Sequence, residues 1–264
     1  MRVRLRFSKL GKVRFTSHRD VARIWERGLR RASLPVVYTQ GFSPRPKLSF
    51  GLALPTGAES LGEYLDVELD VELDFASGEA AAPAARGGAA PHGPALDLEA
   101  LPARLDPALP VGFHVQGAAE VPPGTASLQQ AVVRCTWRVT VPGVSVAHLT
   151  ELVDAALGAD SLVVGRTRKG HEVHDDVRPA IRSLEVVGPT PAGLSRAGAT
   201  LVAELDTQPR SVRPSELLVA LGGDLREERV LRTHQWMQLD GALREPIGLP
   251  HDATRAPYAQ ARAS

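Results

Sequence analysis

Hydrophobic and polar residues alternate over residues 2–7, with Val3, Leu5 and Phe7 set against Arg2, Arg4 and Arg6. Period-two alternation is the signature of a half-buried strand. It resumes over residues 12–16 after a turn at 9–11, which predicts one bent strand or a hairpin. Ser17 and Asp20 have the spacing of a helix N-cap with an acidic partner three residues on. Val21, Ile24, Gly28, Leu29 and Ala32 then recur at helical spacing, predicting an amphipathic helix over 18–33 that Pro35 ends. Residues 36–39 read as a strand. Residues 41–47 form a stiff turn, because Pro44 and Pro46 fix their own φ and restrict their predecessors. An extended stretch over 48–54 follows. Over residues 63–73, Leu65, Val67, Leu69, Val71 and Leu73 alternate with Asp66, Glu68, Asp70 and Glu72, predicting a strand with an acidic outer row. Residues 76–95 are rich in Ala, Gly and Pro without periodicity and read as a flexible insertion. A helix over 96–105 and a strand over 111–121 complete a β-α-β-β-α-β order.

The second half repeats that order. Residues 131–141 read as a strand, Ser145 caps a helix reaching about 157, and 161–167 is a strand followed by a polar, irregular stretch over 169–178. A strand or ribbon over 179–187, a loop, a strand over 200–205, a helix over 214–221 stopped by Gly222 and Gly223, and a strand over 229–239 follow. The expected fold class is α+β: two tandem ferredoxin-like units with antiparallel sheets. They would span residues 1–121 and 131–240, joined by a linker at 122–130, with a disordered tail over 241–264. The repeat lies in element order only.

Composition narrows the functional classes. Hydrophobic residues make up 43% and charged residues 23% of the 264, which suits a globular core. No apolar run approaches the roughly 20 residues that span a bilayer, and the alternating, charged N-terminus is unlike a secretory signal; a cytoplasmic protein is expected. The single cysteine, Cys135, excludes an intrachain disulfide and an iron–sulfur cluster ligated by this chain alone. The net charge of +1 hides an asymmetry. Residues 1–50 hold 13 Lys/Arg and 2 Asp/Glu; residues 51–130 hold 2 and 12. Such blocks imply a basic face for an anionic partner, unless the two blocks neutralise each other in the fold. Arginine (27) outnumbers lysine (4), which a GC-rich coding bias explains; the placement of the arginines carries the functional weight.

Arg14, Phe15, Ser17, His18, Asp20, Tyr38, Gly41, Phe42, Pro44, Pro46, Gly51, Pro55 and Gly57 form a long, specific pattern. It resembles the radical-SAM-linked protein family, a domain of unknown function found behind B12-binding radical-SAM domains or as a stand-alone chain. The segment from His174 to Arg178 is similar to that family's second-half acidic segment. The resemblance covers residues 2–74 and 94–240. It implies a neighbourhood rather than a reaction. This chain lacks the cysteine triplet that holds a radical-SAM cluster, so another chain would perform any radical chemistry.

Four candidate sites follow. Arg19, Arg23 and Arg27 fall at i, i+4, i+8 off the apolar stripe of the first helix, with Arg30 and Arg31 beyond them and Lys9, Lys12, Arg14, Arg45 and Lys47 on flanking segments. Guanidinium groups pair with phosphates and release counterions. Tyr38 and Phe42 would stack unpaired bases. The alternative is a solvated face whose arginines pair with Glu26 or the acidic strand. The loop over 41–57 is either an anion cradle or a rigid crossover. His18, at a helix start beside basic residues, is a candidate general acid or base; capping alone accounts for Ser17 and Asp20. His171, His174 and Asp175 are secondary metal candidates, against ion pairing of Glu172, Asp175 or Asp176 with Arg178 or Arg182. Cys135, Trp25, Trp137 and Trp236 read as packing residues. Walker, dinucleotide-glycine, H-E-x-x-H and G-x-S-x-G motifs are absent.

The expected function is therefore a cytosolic RNA-binding accessory protein for tRNA or rRNA, presenting RNA to a radical-SAM modification enzyme. Arg14, Arg19, Arg23, Arg27, Arg45 and Lys47 would serve as anion contacts. The alternatives are a protein-interaction subunit docking an acidic partner, and an RNA-processing or RNA-modifying enzyme using His18 with Lys47. No cofactor, membrane or DNA-specific partner is indicated.

Overall fold

The computed structural model describes residues 1–71, 96–168, 170–194 and 196–247. The insertion at 76–95 and the tail beyond residue 247 lie outside the described residues.

The alternating start forms β1 (Arg2–Lys9), and the periodic stretch after Ser17 forms α1 (His18–Arg31). The Ser17 hydroxyl accepts the Asp20 N–H at 3.2 Å, as its spacing predicts. The chain continues through β2 (Leu48–Phe50), β3 (Glu59–Glu68), α2 (Leu101–Leu105) and β4 (Phe113–Glu120). The second half comprises α3 (Leu128–Ala131), β5 (Val132–Pro142), α4 (Val146–Gly158), β6 (Val163–Arg168), β7 (His171–Asp176), β8 (Ile181–Pro189), β9 (Gly198–Asp206), α5 (Pro214–Leu221), β10 (Arg229–Leu239) and β11 (Ala242–Arg244). The result is a mixed α/β chain with one large, mostly antiparallel sheet in the order β4-β1-β3-β10-β5-β9-β8, with β2 also on β3, β11 also on β10, and a separate β6-β7 hairpin.

The sequence leads one to expect two sheets, but a single sheet runs through both halves. The cause is the shortness of β2. It pairs only with residues 65–67 of β3, leaving the edge at Glu59 and Ser60 with unpaired backbone groups. Leu231 and Arg232 of β10 take that edge in parallel, as buried backbone donors and acceptors require.

The helices pack on one face. Val21, Ile24, Trp25 and Leu29 of α1 meet Val3, Leu5, Phe7, Leu65 and Val67, with the Trp25 ring edge-on to Phe7 at 4.8 Å. In the second half Cys135, Trp137, Val139 and Val141 pack with Leu149 and Val153 of α4 and Leu217 and Leu218 of α5. No described helix is long and apolar enough to cross a membrane.

Several local expectations change. Residues 12–16 are not a strand: a 3-10 turn occupies Gly11–Phe15, because Leu10 N–H donates to Gly112 O and Gly11 N–H to the Glu59 carboxylate. Residues 36–39 make only isolated bridges, Val36 to Leu69 and Tyr38 to Pro46. The helix expected over 96–105 shortens to α2, since the Asp97 carboxylate caps Glu99 N–H and holds a turn there. The irregular stretch over 169–178 contains β7. The tail begins ordered, with β11 on β10. In the acidic row expected to face outward, Asp66 is buried instead, whereas Glu68 is half-buried and Asp70 exposed.

Gly112 is required where it stands. Its φ is +100°, and an added Cβ would lie 2.5 Å from Leu10 O and 2.7 Å from Val13. Gly112→Ala therefore combines left-handed strain with a backbone clash. It should cost about 1–3 kcal/mol in urea unfolding; a loss near zero would show that the 10–13 turn moves freely.

Candidate nucleic-acid interface

The charge blocks partly neutralise each other, and the sheet register decides how. Arg4 and Asp66 face each other across β1 and β3 and form a buried bidentate pair at 2.7 and 2.9 Å. Lys47 pairs with Glu68 at 2.9 Å. The buried Arg6 guanidinium donates to the Tyr64 hydroxyl at 3.0 Å and to Glu245 at 2.6 Å, and burial pushes the Tyr64 hydroxyl pKa well up. Gly62 leaves room for this, its missing Cβ lying 3.2 Å from the guanidinium. Asp66 and Glu68 of the acidic strand are thus taken by basic residues of the first half.

That leaves the arginines of α1. Arg19, Arg23, Arg27, Arg30 and Arg31 are exposed. Arg23 pairs with Asp20 at 3.3 Å. Among the described residues the side chains of Arg19, Arg27, Arg30 and Arg31 form no ion pair, with Glu26 or with Asp66, Glu68 and Asp70 of the acidic strand.

The remaining anion candidates fall into two clusters. Arg14 sits near the α1 start, its guanidinium 4.7 Å over the Phe15 ring and 4.0 Å from Glu59. Phe15 is 62% exposed. It is an exposed aromatic ring on a basic turn, which the strand assignment of 12–16 concealed. Tyr38 and the fully exposed Phe42 belong to the other cluster, with Arg45 and Lys47. That loop leads into β2, which pairs with the far end of β3 from Glu59. Lys47 is engaged by Glu68 there. The loop over 41–57 is a crossover rather than a cradle: the N–H groups of Lys47, Gly51 and Gly57 are taken by Val37, Tyr64 and Arg14 carbonyls.

An open cleft lies beneath the start of α1. It is lined by Phe7, Lys9, His18, Val21, Phe50, Gly51, Leu52, Leu54, Glu63 and Tyr64. Lys9 is buried, and its ammonium donates to the carbonyls of Arg14 and Thr16, each at 3.2 Å. Burial lowers its pKa, against the opposing pull of Glu63. Glu63 is held by Arg232 at 2.6–3.0 Å. The His18 ring meets the Phe50 ring edge-on at 5.2 Å.

The histidine–carboxylate segment does not converge. His171 and His174 lie on opposite faces of β7. Asp175 bonds Arg166 at 2.5 Å and Arg210 at 3.1 Å. No group of three metal-ligating side chains forms among the described residues. Asp176 instead closes the hairpin base, accepting Leu162 N–H at 2.8 Å and Arg178 N–H at 2.9 Å. These two N–H groups lower its pKa. Its contribution to stability is therefore full above the ordinary carboxylate value of about 3.9 and lost as pH falls through the lowered one. A carboxyl NMR titration should give Asp176 a midpoint below that ordinary value, and Asp176→Asn should remove that part of the acid limb.

Cys135 is buried, and burial pushes its thiol pKa up to about 11, leaving it an inert core group. Trp236 is only half-buried: it stacks on His234 at 5.0 Å and donates to Thr136 at 2.8 Å on the helix-free face.

No curated protein matches the chain. Residues 2–83 and 92–214 match a family described as uncharacterized proteins conserved in bacteria. The match spans the α1 arginines, the Arg14–Phe15 turn and nearly all of the residues lining the interface, and on that extent the chain belongs to this bacterial family, DUF2344.

Proposed function

We propose that the chain is an RNA-binding protein that uses the solvent face of α1 as its phosphate-contacting surface. The single observation carrying this reading is the arginine ladder that the fold leaves unneutralised. Among the described residues Asp66 is taken by Arg4, Glu68 by Lys47, and Glu59 and Glu63 by the inter-half contacts, while Arg19, Arg27, Arg30 and Arg31 form no ion pair and keep their charge available. Phosphate contacts dominate the affinity of such surfaces and make it salt-dependent. Arg19 and Arg27 stand about 12 Å apart along the helix, enough to follow a strand rather than grip one small anion. Exposed aromatics at Phe15, Tyr38 and Phe42 favour unpaired RNA bases as the stacked partners.

Two finer readings belong to the same proposal. Each half is read as a ferredoxin-like unit, supported by the shared orders β4-β1-β3-β2 and β10-β5-β9-β8. The resemblance to radical-SAM-linked proteins makes a radical-SAM modification enzyme the natural recipient of the RNA. The test is filter binding to tRNA across a salt series, with the α1 arginines reversed in charge. RNA affinity that ignores those reversals would overturn the reading. A protein partner that survives nuclease treatment would move the basic face to protein docking.

A further inference from the structure

We propose that the cleft beneath the start of α1 receives a terminal phosphate of the bound RNA, with Lys9 and His18 as its donors. The proposal rests on the RNA-binding reading and gives that surface an end-recognising element.

The charge arrangement carries the inference. Lys9 is 2% exposed and Arg232 1% exposed, and both border Glu63. Glu63 is the carboxylate lining the cleft, and Arg232 takes both of its oxygens. Among the described residues the Lys9 ammonium has the carbonyls of Arg14 and Thr16 as partners. Two buried cations therefore share one carboxylate. An unmatched buried charge is costly, and an anion at the cleft mouth is its complement. The lysine keeps a third N–H for that anion, because an ammonium has three donors and two are used. His18, exposed at the mouth and steadied against Phe50, adds a ring N–H.

The shape selects a chain end. The floor is formed by β1 and β3 through Phe7, Lys9, Glu63 and Tyr64, one wall by α1, and the other by residues 50–54. The walls are apolar: Val21, Leu52 and Leu54. A strand passing through would need an exit at the floor, which the sheet closes; a terminal group needs only the mouth. A terminal phosphomonoester also carries more negative charge than an internal diester. Beyond the mouth, Arg19 follows His18 and opens the ladder along which the rest of the strand would run.

The test uses the full chain and a short oligoribonucleotide with a 5′-phosphate, a 3′-phosphate or hydroxyl ends, at one salt concentration. One phosphorylated end should bind roughly tenfold tighter than the hydroxyl form. In Lys9→Met the ratio of the two affinities should collapse towards one. His18→Asn, at an exposed position that leaves the fold intact, should shrink the same ratio if Lys9→Met fails to fold. Equal binding of all ends by the unaltered chain, or a ratio that survives both substitutions, overturns the proposal and leaves the RNA reading standing. If no oligonucleotide binds, the RNA reading falls. Phosphorus NMR with inorganic phosphate then decides the cleft alone, line broadening that Lys9→Met abolishes supporting it and an unaltered line sinking it.

Discussion

Arg232→Met is expected to lower the unfolding free energy by about 3–5 kcal/mol, the cost of stripping one partner from a buried ion pair. Arg232 is 1% exposed. It donates to both Glu63 oxygens and to Leu52 O, and its guanidinium lies 5.4 Å from the centre of the Trp137 ring. With the guanidinium gone, Glu63 keeps a buried negative charge without its bidentate partner, with Lys9 lining the same cleft. The pair also joins the two halves, since β3 and β10 share only two residue pairs of backbone ladder. Glu59 adds a second lock, bonding Arg229 across the same junction and Gly11 N–H within the first half. The double variant Glu63→Met with Arg232→Met should recover most of the loss, because an apolar pair of similar volume removes both desolvation penalties. Urea unfolding of the two single variants and the double gives the coupling directly. A single-variant loss under about 1 kcal/mol, the range of exposed pairs, would show that the junction is wet and that the pair holds nothing together.

This junction marks the boundary between what was legible in the chain and what was not. β1 and α1 declare themselves, because each sets an apolar face against a polar one, so hydrophobic period alone identifies them, although in β1 the polar face with Arg4 and Arg6 is buried as well. α4, α5, β5 and β10 were legible for the same reason. β3 misled in one respect. Its alternation is real, but Asp66 faces Arg4 in the register rather than solvent, and only cross-strand pairing reveals that. The turn at Gly11–Phe15 follows from contacts with Gly112 and Glu59, which lie about a hundred and about fifty residues away in sequence, so no local pattern announces it. β7 reads as polar because its hairpin partner β6 and the Arg166–Asp175 pair order it, not an apolar face.

The site divides along the same line. The α1 arginines were readable because helical phase puts them opposite Val21 and Leu29. The capture of Lys47 by Glu68, and the burial of Lys9 beside Glu63, depend on which strands become neighbours. Phe15 was quoted within the family pattern, yet its exposure depends on the turn that replaces the expected strand. Short-range pattern located the basic face, and long-range pairing decided which of its charges remain free.

Reversing Arg19, Arg23 and Arg27 to glutamate should weaken RNA binding by at least about a hundredfold at physiological salt, with little change in stability. All three lie on the solvent face of α1, and only Arg23 has a carboxylate partner, the exposed Asp20. Exposed substitutions of this kind shift stability by within about 0.5 kcal/mol each, so the folded state should survive. Binding is governed differently. Each phosphate neutralised contributes about 0.7 for a single strand, or 0.9 for a duplex, to the slope of log affinity against log salt. Losing three contacts should flatten that slope by about two to three. The slope separates a lost contact from general repulsion: added negative charge weakens binding everywhere, but only removed phosphate contacts reduce the number of counterions released. Filter binding across a salt series reads both numbers. A slope that stays constant while affinity falls would place the phosphates elsewhere, with the Arg45 loop as the next surface to reverse. A constant slope with constant affinity would remove α1 from the interface altogether, and with it the functional reading of the exposed Arg19 and Arg27.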